Sequence, residues 1–296
     1  MRSPNATAAQ PQTAAGSAEP LLAINDLEVT YRSKGLRRKS FQVLHGVSLN
    51  VRPGETVGLV GESGSGKSTL GRAVLGLAPI SGGTVTYHQE DITTASKQRR
   101  RQLAGEMQAV FQDPYSSLSP ALTIGDTLSE PLRAGGIRRK EAAQRISELL
   151  DVVHLPSDAL QRYPREFSGG QRQRVAIARA LALSPKLIIC DEPVSALDLT
   201  TQARVMELLL DIQQETNVAL LFISHDLSVV RVMSHRVAVM YRGQIVETGE
   251  GAKVTTTPEH PYTQRLLLAA PAADPKRQAE RRRERAATTT SGIDKK

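Results

Sequence analysis

Residues 56–68 read TVGLVGESGSGKS, and this stretch decides the fold. Its apolar start predicts a buried strand, and the eight residues from Gly61 to Ser68 match the pattern G-x-x-x-x-G-K-[ST]. The sequence from Lys67 to Leu77 predicts a helix that Pro79 ends. A glycine-rich turn between a strand and a helix points backbone N–H groups at an anion, and the positive end of the helix faces the same place. The stretch therefore predicts a phosphate-binding loop.

Each residue type in this loop has a chemical purpose. Glycines let the backbone curl around phosphate oxygens, Lys67 supplies positive charge for β- and γ-phosphates, and the Ser68 hydroxyl suits Mg²⁺. A flexible Gly/Ser turn with a chance lysine is the alternative, and the strand–loop–helix context disfavours it. The residues expected to contact the nucleotide here are Gly61, Glu62, Ser63, Gly64, Ser65, Gly66, Lys67, Ser68 and Thr69.

A second stretch, LIICDE at 187–192, is an apolar strand that ends in two acids. A buried carboxylate is costly unless it meets a cation, so Asp191 is a candidate Mg²⁺ ligand. Glu192 is placed to polarise an attacking water as a general base. Two helix-capping carboxylates before Pro193 would be the simpler interpretation.

Strands and helices alternate along most of the chain. Segments 21–31 and 41–51 alternate in polarity and predict an antiparallel layer, whereas 112–183 is helical in character. Apolar residues at helical spacing predict two buried helix faces, one at Ile146, Leu149, Leu150 and Val153, the other at Val205, Leu208, Leu209 and Ile212. Further strands at 187–190, 218–223 and 236–241 alternate with helices near 200–215 and 227–233. This order predicts an α/β fold with a mainly parallel sheet covered on both faces.

The run FSGGQ at 167–171, followed by a helix, resembles the signature of the ABC ATPase family, usually written LSGGQ. Phe167 replaces leucine with another large apolar residue. The resemblance implies a P-loop NTPase core with an antiparallel β layer and an inserted α-helical subdomain. It also implies that the signature contacts the γ-phosphate of ATP held by an opposite subunit, through Ser168, Gly169, Gly170 and Gln171. A serine-capped helix after a glycine turn is the alternative.

Other positions match the family in the same order along the chain. By resemblance, Tyr31 would stack on adenine, Gln112 would contact Mg²⁺ and the attacking water, and His225 would sense the γ-phosphate. Ser195–Asp198 (SALD) matches a loop that crosses the dimer interface. A core tyrosine and a structural histidine are the alternatives for Tyr31 and His225. With Glu192 and Lys67, His225 completes the implied catalytic set.

Two segments resemble the dipeptide, oligopeptide and nickel importer group: FQDPYSSLSPALTIGDTLSEPL (111–132) and HPYTQRLLLAAP (260–271). His260 is expected to be structural, with a metal ligand as the alternative. The group implies an ATP- and Mg²⁺-dependent import subunit for peptides, nickel or related solutes. It would pair with a second ATPase subunit, identical or different, with two permeases and with an extracytoplasmic binding protein. An exporter subunit and a soluble non-transport ABC ATPase remain alternatives.

Composition sets the remaining expectations. The net charge of +8 lies mostly in 276–296, which hold eight basic against three acidic residues, and in Arg32–Lys39, so no nucleic-acid partner is expected. No apolar run approaches the ~18 residues that span a bilayer, so a cytosolic chain is expected, and the family resemblance implies a position at the cytoplasmic face of the membrane. The single cysteine, Cys190, allows no internal disulfide, and the C-terminal segment holds no cysteines for an iron–sulfur cluster.

These patterns divide the chain into an ATPase core, a helical signature subdomain, an importer-type extension and two tails. The tails are expected to be disordered and the second is basic. The predicted ranges are 20–111 and 184–250 for the core, 112–183 for the subdomain, 251–272 for the extension, and 1–19 and 273–296 for the tails.

Overall fold

A computed structural model describes residues 19–32, 40–113 and 117–269. Within these ranges the chain forms two sheets and a set of helices; residues 1–18 and 270–296, which hold most of both predicted tails, lie outside them. The strands are β1 Leu22–Arg32, β2 Ser40–Val51, β3 Thr56–Val60, β4 Ile80–Tyr87, β5 Glu90–Asp91, β6 Met107–Val110, β7 Leu187–Asp191, β8 Ala219–Ser224, β9 Arg236–Tyr241 and β10 Gln244–Glu250. The α-helices are α1 Lys67–Val74, α2 Lys97–Leu103, α3 Ile124–Ala134, α4 Arg139–Val152, α5 Gly169–Leu181, α6 Leu199–Thr216, α7 Leu227–Met233, α8 Gly251–Thr256 and α9 Pro261–Ala269.

The larger sheet has the order β10-β9-β3-β8-β7-β6. All its pairings are parallel except that of β10 with β9, as the predicted alternation of strands and helices requires. The strands β3, β7 and β8 are buried throughout, which is why they read as continuous apolar runs. Because neighbouring parallel strands end at one edge, the segments after β3, β7 and β8 meet there.

The smaller sheet has the order β2-β1-β4-β5 and is antiparallel, the layer that the alternating N-terminal segments predict. Its inner residues, with those of α1, pack on one face of the larger sheet against Leu59, Leu221 and Ile223. On the other face, Leu220 and Phe222 pack among α3–α7. Successive residues of β8 thus point to opposite cores. The predicted fold class is confirmed.

The helical segments bury the faces that their spacing predicts. Ile146, Leu149, Leu150 and Val153 are buried, as are Val205, Leu208, Leu209 and Ile212 of α6. Each such side chain contributes about 1.5–3 kcal/mol by leaving water. None of the helices described here is long and apolar enough to cross a bilayer.

The helix after the phosphate loop ends earlier than predicted. It stops at Val74, before Leu77, because Gly76 adopts φ +73° and turns the chain. The N–H of Leu77 donates to the carbonyl of Arg72, and the N–H of Gly76 to that of Ala73. This is a Schellman motif, in which a glycine, rather than the later proline, ends the helix.

Candidate functional site

A cavity of about 650 Å³ opens at the edge of the larger sheet where β3, β7 and β8 end. Most of the residues predicted to be catalytic or to contact the nucleotide line it, whereas Tyr31 and the SGGQ residues do not. The lining residues are Val43, Glu62, Ser63, Gly64, Gly66, Lys67, Ser68, Thr69, Gln112, Glu192, His225 and Leu266.

The loop between β3 and α1 has the backbone that its glycines predict. Gly64 and Gly66 adopt φ +80° and +110°, which side chains rarely tolerate. A Cβ on Gly61 would lie 2.1 Å from the Met240 carbonyl oxygen, so only glycine fits there. Gly66 caps α1 without a side chain, which leaves the first N–H groups of the helix to an anion.

Lys67 is buried at the floor of the cavity. Its Nζ donates to the carbonyl oxygens of Gly61 at 2.7 Å and Glu62 at 2.9 Å. Burial lowers the pKa of Lys67, and the charges of Glu192 and Asp191 oppose that effect. The Lys67 ammonium donates to two neutral carbonyl oxygens, and a phosphate oxygen would be a stronger, charge-assisted acceptor. The arrangement therefore favours an anionic ligand.

Oxygen donors for a divalent cation lie beside the lysine. The Ser68 hydroxyl donates to Asp191 Oδ1 at 2.7 Å, across 123 residues of sequence. Asp191 is 6% exposed, and burial raises the pKa of its carboxyl group, while the hydrogen bond from Ser68 opposes the change. Gln112 lines the same cavity. A hydroxyl, a carboxylate and an amide form a donor set that suits Mg²⁺, which takes oxygen ligands and keeps several waters.

Glu192 follows β7 in an unusual backbone conformation. Its φ of +52° is rare for a residue with a side chain, and its N–H donates to the Ile223 carbonyl at 3.0 Å. The carboxylate lies on the cavity wall, where Oε2 is 3.1 Å from His225 Nδ1. The two predicted catalytic residues are therefore already in contact, and both face the space where a phosphate would lie.

The SGGQ segment lies outside the lining of this cavity. Ser168 caps α5 by accepting from the Gln171 N–H at 3.3 Å, and Gln171 Oε1 accepts from the Ser168 N–H at 2.9 Å. Ser168 is exposed, whereas Gly170 is buried so closely that a Cβ would lie 2.1 Å from Thr201 Cγ2. Asp198, from the SALD segment, in turn caps α6 by accepting from the Thr201 N–H. Ser168, at the capped start of α5, is thus exposed to solvent. Gly170 packs against the start of α6, which Asp198 of the SALD segment caps.

The remaining predicted residues lie around the cavity rather than in its wall. Gly61 and Ser65 belong to the loop, and Asp191 is hydrogen-bonded to Ser68, but these three are not lining residues. Tyr31 lies at the end of β1, 38% exposed and paired with Phe41 of β2, and does not line the cavity. Its stacking on adenine stays a prediction.

Two lining residues were missed by the sequence reasoning. Val43, in β2, is an apolar strand residue with no motif to mark it. Leu266, in α9, belongs to the HPYTQRLLLAAP segment, which the sequence marks as distinctive without indicating that it reaches the cavity.

A phosphate loop on a parallel sheet, an antiparallel β layer and a separate SGGQ helix define a P-loop protein with the ATP-binding cassette fold. The family model described as ABC transporter matches residues 44–195, and the chain belongs to that family. Solved structures agree: the cbiO1 protein of Clostridium perfringens, part of the ABC transporter complex cbiONQ, gives a TM-score of 0.71 at 26% identity over 81% of this chain and 92% of its own. A dimeric ATP-binding cassette in a post-hydrolysis state with ADP and Pi gives 0.69 at 30% identity over 77% and 98%.

Among curated relatives, the glutathione import ATP-binding protein GsiA of Escherichia coli (strain K12) is 51% identical over 265 residues. The protein of the same name from Shigella flexneri has the same identity over the same length. In both, the match covers 88% of this chain and 42% of the relative, so the chain spans less than half of the proteins that it matches.

Proposed function

We propose that this chain is the ATP-hydrolysing subunit of an ABC importer, and that it couples ATP binding and hydrolysis at a dimer interface to solute uptake through separate permeases. The observation that carries the proposal is the convergence of Lys67, Ser68, Gln112, Glu192 and His225 on one cavity, while the family signature lies outside that cavity with Ser168 exposed. In this proposal, the cavity forms one half of a binding site for a nucleoside triphosphate.

In this proposal, nucleotide binding uses the loop and its helix. The N–H groups of 61–69 and the start of α1 hold the phosphates, and Lys67 exchanges its carbonyl partners for β- and γ-phosphate oxygens. Ser68, Gln112 and Asp191 would hold Mg²⁺, which neutralises phosphate charge when bound. Tyr31 would contribute the adenine contact.

Hydrolysis would use the Glu192–His225 pair. Glu192 accepts a proton from a water whose oxygen attacks the γ-phosphorus in line, while the bond from that phosphorus to the β-bridging oxygen breaks and ADP leaves. His225 and Lys67 stabilise the charge on the equatorial oxygens. The contact between Glu192 and His225 holds the carboxylate on the cavity wall.

The second half of the site would come from another subunit. Ser168, Gly169, Gly170 and Gln171 of that subunit would grip the γ-phosphate, and Ser195–Asp198 would cross the interface. ADP lacks the group that both halves grip, so hydrolysis reopens the dimer. Two observations support this arrangement: the exposure of Ser168, and its absence from the cavity of its own chain.

Import of peptides or small related solutes is the transport reaction that we propose. Support comes from the relatives named for glutathione import, a peptide-like solute, and from the importer-like segments at 111–132 and 260–271. The partners would be a second ATPase subunit, two permeases and an extracytoplasmic binding protein, with this chain at the cytoplasmic face of the membrane. The ranges 20–111 with 184–250, 112–183 and 251–272 are proposed as its core, signature subdomain and extension.

Uptake in cells tests the proposal. Cells that lack the gene for this chain are given either the wild type or Glu192→Gln at equal expression, and accumulation of labelled glutathione and di- and tripeptides is measured. We expect the wild type alone to restore accumulation, together with Mg²⁺-dependent ATPase activity of the purified chain. Equal accumulation with both variants would contradict an ATP-driven import role, and faster loss of preloaded solute with the wild type would favour export.

A further inference from the structure

The C-terminal extension of this chain is bound to the first residues of the phosphate loop. The Tyr262 hydroxyl, at the start of α9, accepts a hydrogen bond from the Glu62 N–H at 3.0 Å, although the residues lie 200 positions apart. One turn further along α9, Leu266 lines the same cavity as Glu62. The extension therefore forms part of the wall of the proposed ATP site.

Several contacts fix the position of Tyr262. The Glu247 carboxylate of β10 accepts from the N–H groups of Glu259 and His260, at 2.8 and 3.1 Å, and so holds the segment before α9. His260 Nδ1 accepts from the Tyr262 N–H at 3.1 Å, which leaves the proton of a neutral ring on Nε2. The Tyr262 ring is 3% exposed and packs on Tyr241 with 4.2 Å between centroids. These contacts hold the Tyr262 hydroxyl in one position.

The geometry at that point links Tyr262 to Lys67. The peptide unit between Gly61 and Glu62 consists of the Gly61 carbonyl and the Glu62 N–H, which point in opposite directions in a trans peptide. The carbonyl accepts from Lys67 Nζ at 2.7 Å, and the N–H donates to Tyr262 at 3.0 Å. Two side chains therefore hold one peptide plane from opposite sides.

We propose that Tyr262 is a positioning residue of the nucleotide site: it fixes the Gly61–Glu62 peptide, and through its carbonyl the resting place of Lys67. The inference rests on the proposed ATP function and adds the C-terminal extension to that site. Without the hydroxyl, the peptide can rotate and move the Gly61 carbonyl away from Lys67, so the ammonium must be ordered again when a nucleotide binds. That ordering lowers the apparent affinity.

The test compares Tyr262→Phe with Tyr241→Phe. The first removes only the hydroxyl that holds the loop; the second removes a hydroxyl from the same ring pair, one with no hydrogen bond to the loop among the described residues. Binding of MgATP is measured with a fluorescent ATP analogue, together with KM, kcat and Tm. For Tyr262→Phe we expect Kd and KM to rise about two- to tenfold, the range for one neutral hydrogen bond, with kcat little changed. Tyr241→Phe is expected to match the wild type.

A double-mutant cycle separates positioning from general support. Because Tyr262 acts on Lys67 through one peptide, Tyr262→Phe should change the Kd of a Lys67→Ala chain by less than about twofold. An equal rise in both backgrounds would overturn the inference, since a merely structural tyrosine gives additive effects. Unchanged or tighter MgATP binding in Tyr262→Phe alone would overturn it as well.

Amide hydrogen exchange gives a measurement that needs no nucleotide. The Glu62 N–H should exchange faster in Tyr262→Phe than in the wild type or Tyr241→Phe, and equal rates would refute the hydrogen bond. Failure of the wild type to bind MgATP would instead contradict the proposed function. The two failures are therefore distinguishable.

Discussion

His225 Nδ1 lies 3.1 Å from Glu192 Oε2, joining residues that follow the neighbouring strands β8 and β7. Glu192 reaches this position from a backbone with φ +52°, a conformation that its neighbours must stabilise. The Ser195 N–H and hydroxyl both donate to the Glu192 carbonyl and help to do so. The pair therefore forms an organised part of the wall of the cavity that the phosphate loop also lines.

Replacing Glu192 by Gln tests the role of this carboxylate. The amide keeps the size of the side chain but cannot accept a proton, so kcat should fall at least about 100-fold while the Kd for MgATP changes little. The trapped ATP should also hold two chains together, with a mass twice the 32.1 kDa of one chain by light scattering. Hydrolysis close to the wild-type rate would exclude Glu192 as the general base.

Removal of the buried ammonium should weaken binding. Lys67→Ala deletes a charged donor to the phosphates, and the Kd for MgATP is expected to rise about 10- to 100-fold, as measured by calorimetry. Lys97→Ala, on the exposed helix α2, is the matched control and should bind as the wild type does. An affinity that is the same in all three proteins would count against the phosphate loop.

Asp191→Asn separates the metal role of this carboxyl from a structural one. The Mg²⁺ concentration for half-maximal ATPase activity should rise about 10- to 100-fold, because we propose that Asp191 holds the ion together with Ser68, to which it is hydrogen-bonded. Burial raises the pKa of Asp191, so its ionised form is disfavoured in the nucleotide-free fold, and Asn should leave Tm unchanged or higher. A loss of Tm with an unchanged Mg²⁺ requirement would indicate a structural residue instead.

The single cysteine provides a test of the fold. Cys190 is fully buried in β7, and burial raises its pKa to about 12, so the reactive thiolate is scarce at neutral pH. A thiol reagent at pH 7.5 should label the native chain slowly and the urea-unfolded chain completely, as read by mass spectrometry. Rapid labelling of the native chain would contradict a buried β7.

The buried elements were predictable from the sequence because burial leaves a pattern. Continuous apolar runs gave β3, β7 and β8, and helical spacing gave the inner face of α6. Elements that lack such a pattern were not predicted, including the glycine-containing strand β4 and the edge strand β10. Local signals also compete, since Gly76 ends α1 before Pro79 can do so.

The convergence of the motif residues on one cavity was predictable, because the patterns associated with phosphate binding restrict residue type. What could not be read from the sequence was contact across long separations. Val43 enters the cavity through the register of the small sheet, and Tyr262 meets Glu62 only because β10 and α9 return to the phosphate loop. Neither contact requires a particular residue pattern in the sequence around it, so the sequence alone does not indicate it.

The most direct test of the central claim, that two chains complete one site, uses an ATP analogue with a photoreactive group on its γ-phosphate. A tagged Lys67→Ala chain, weakened in its own loop, is mixed with an untagged Glu192→Gln chain that binds normally, and labelled peptides are mapped after illumination. We expect label on the tagged chain, in the peptide that contains Ser168–Gln171. Label at 168–171 of the untagged chain alone would show that one chain supplies both halves, and would contradict the account.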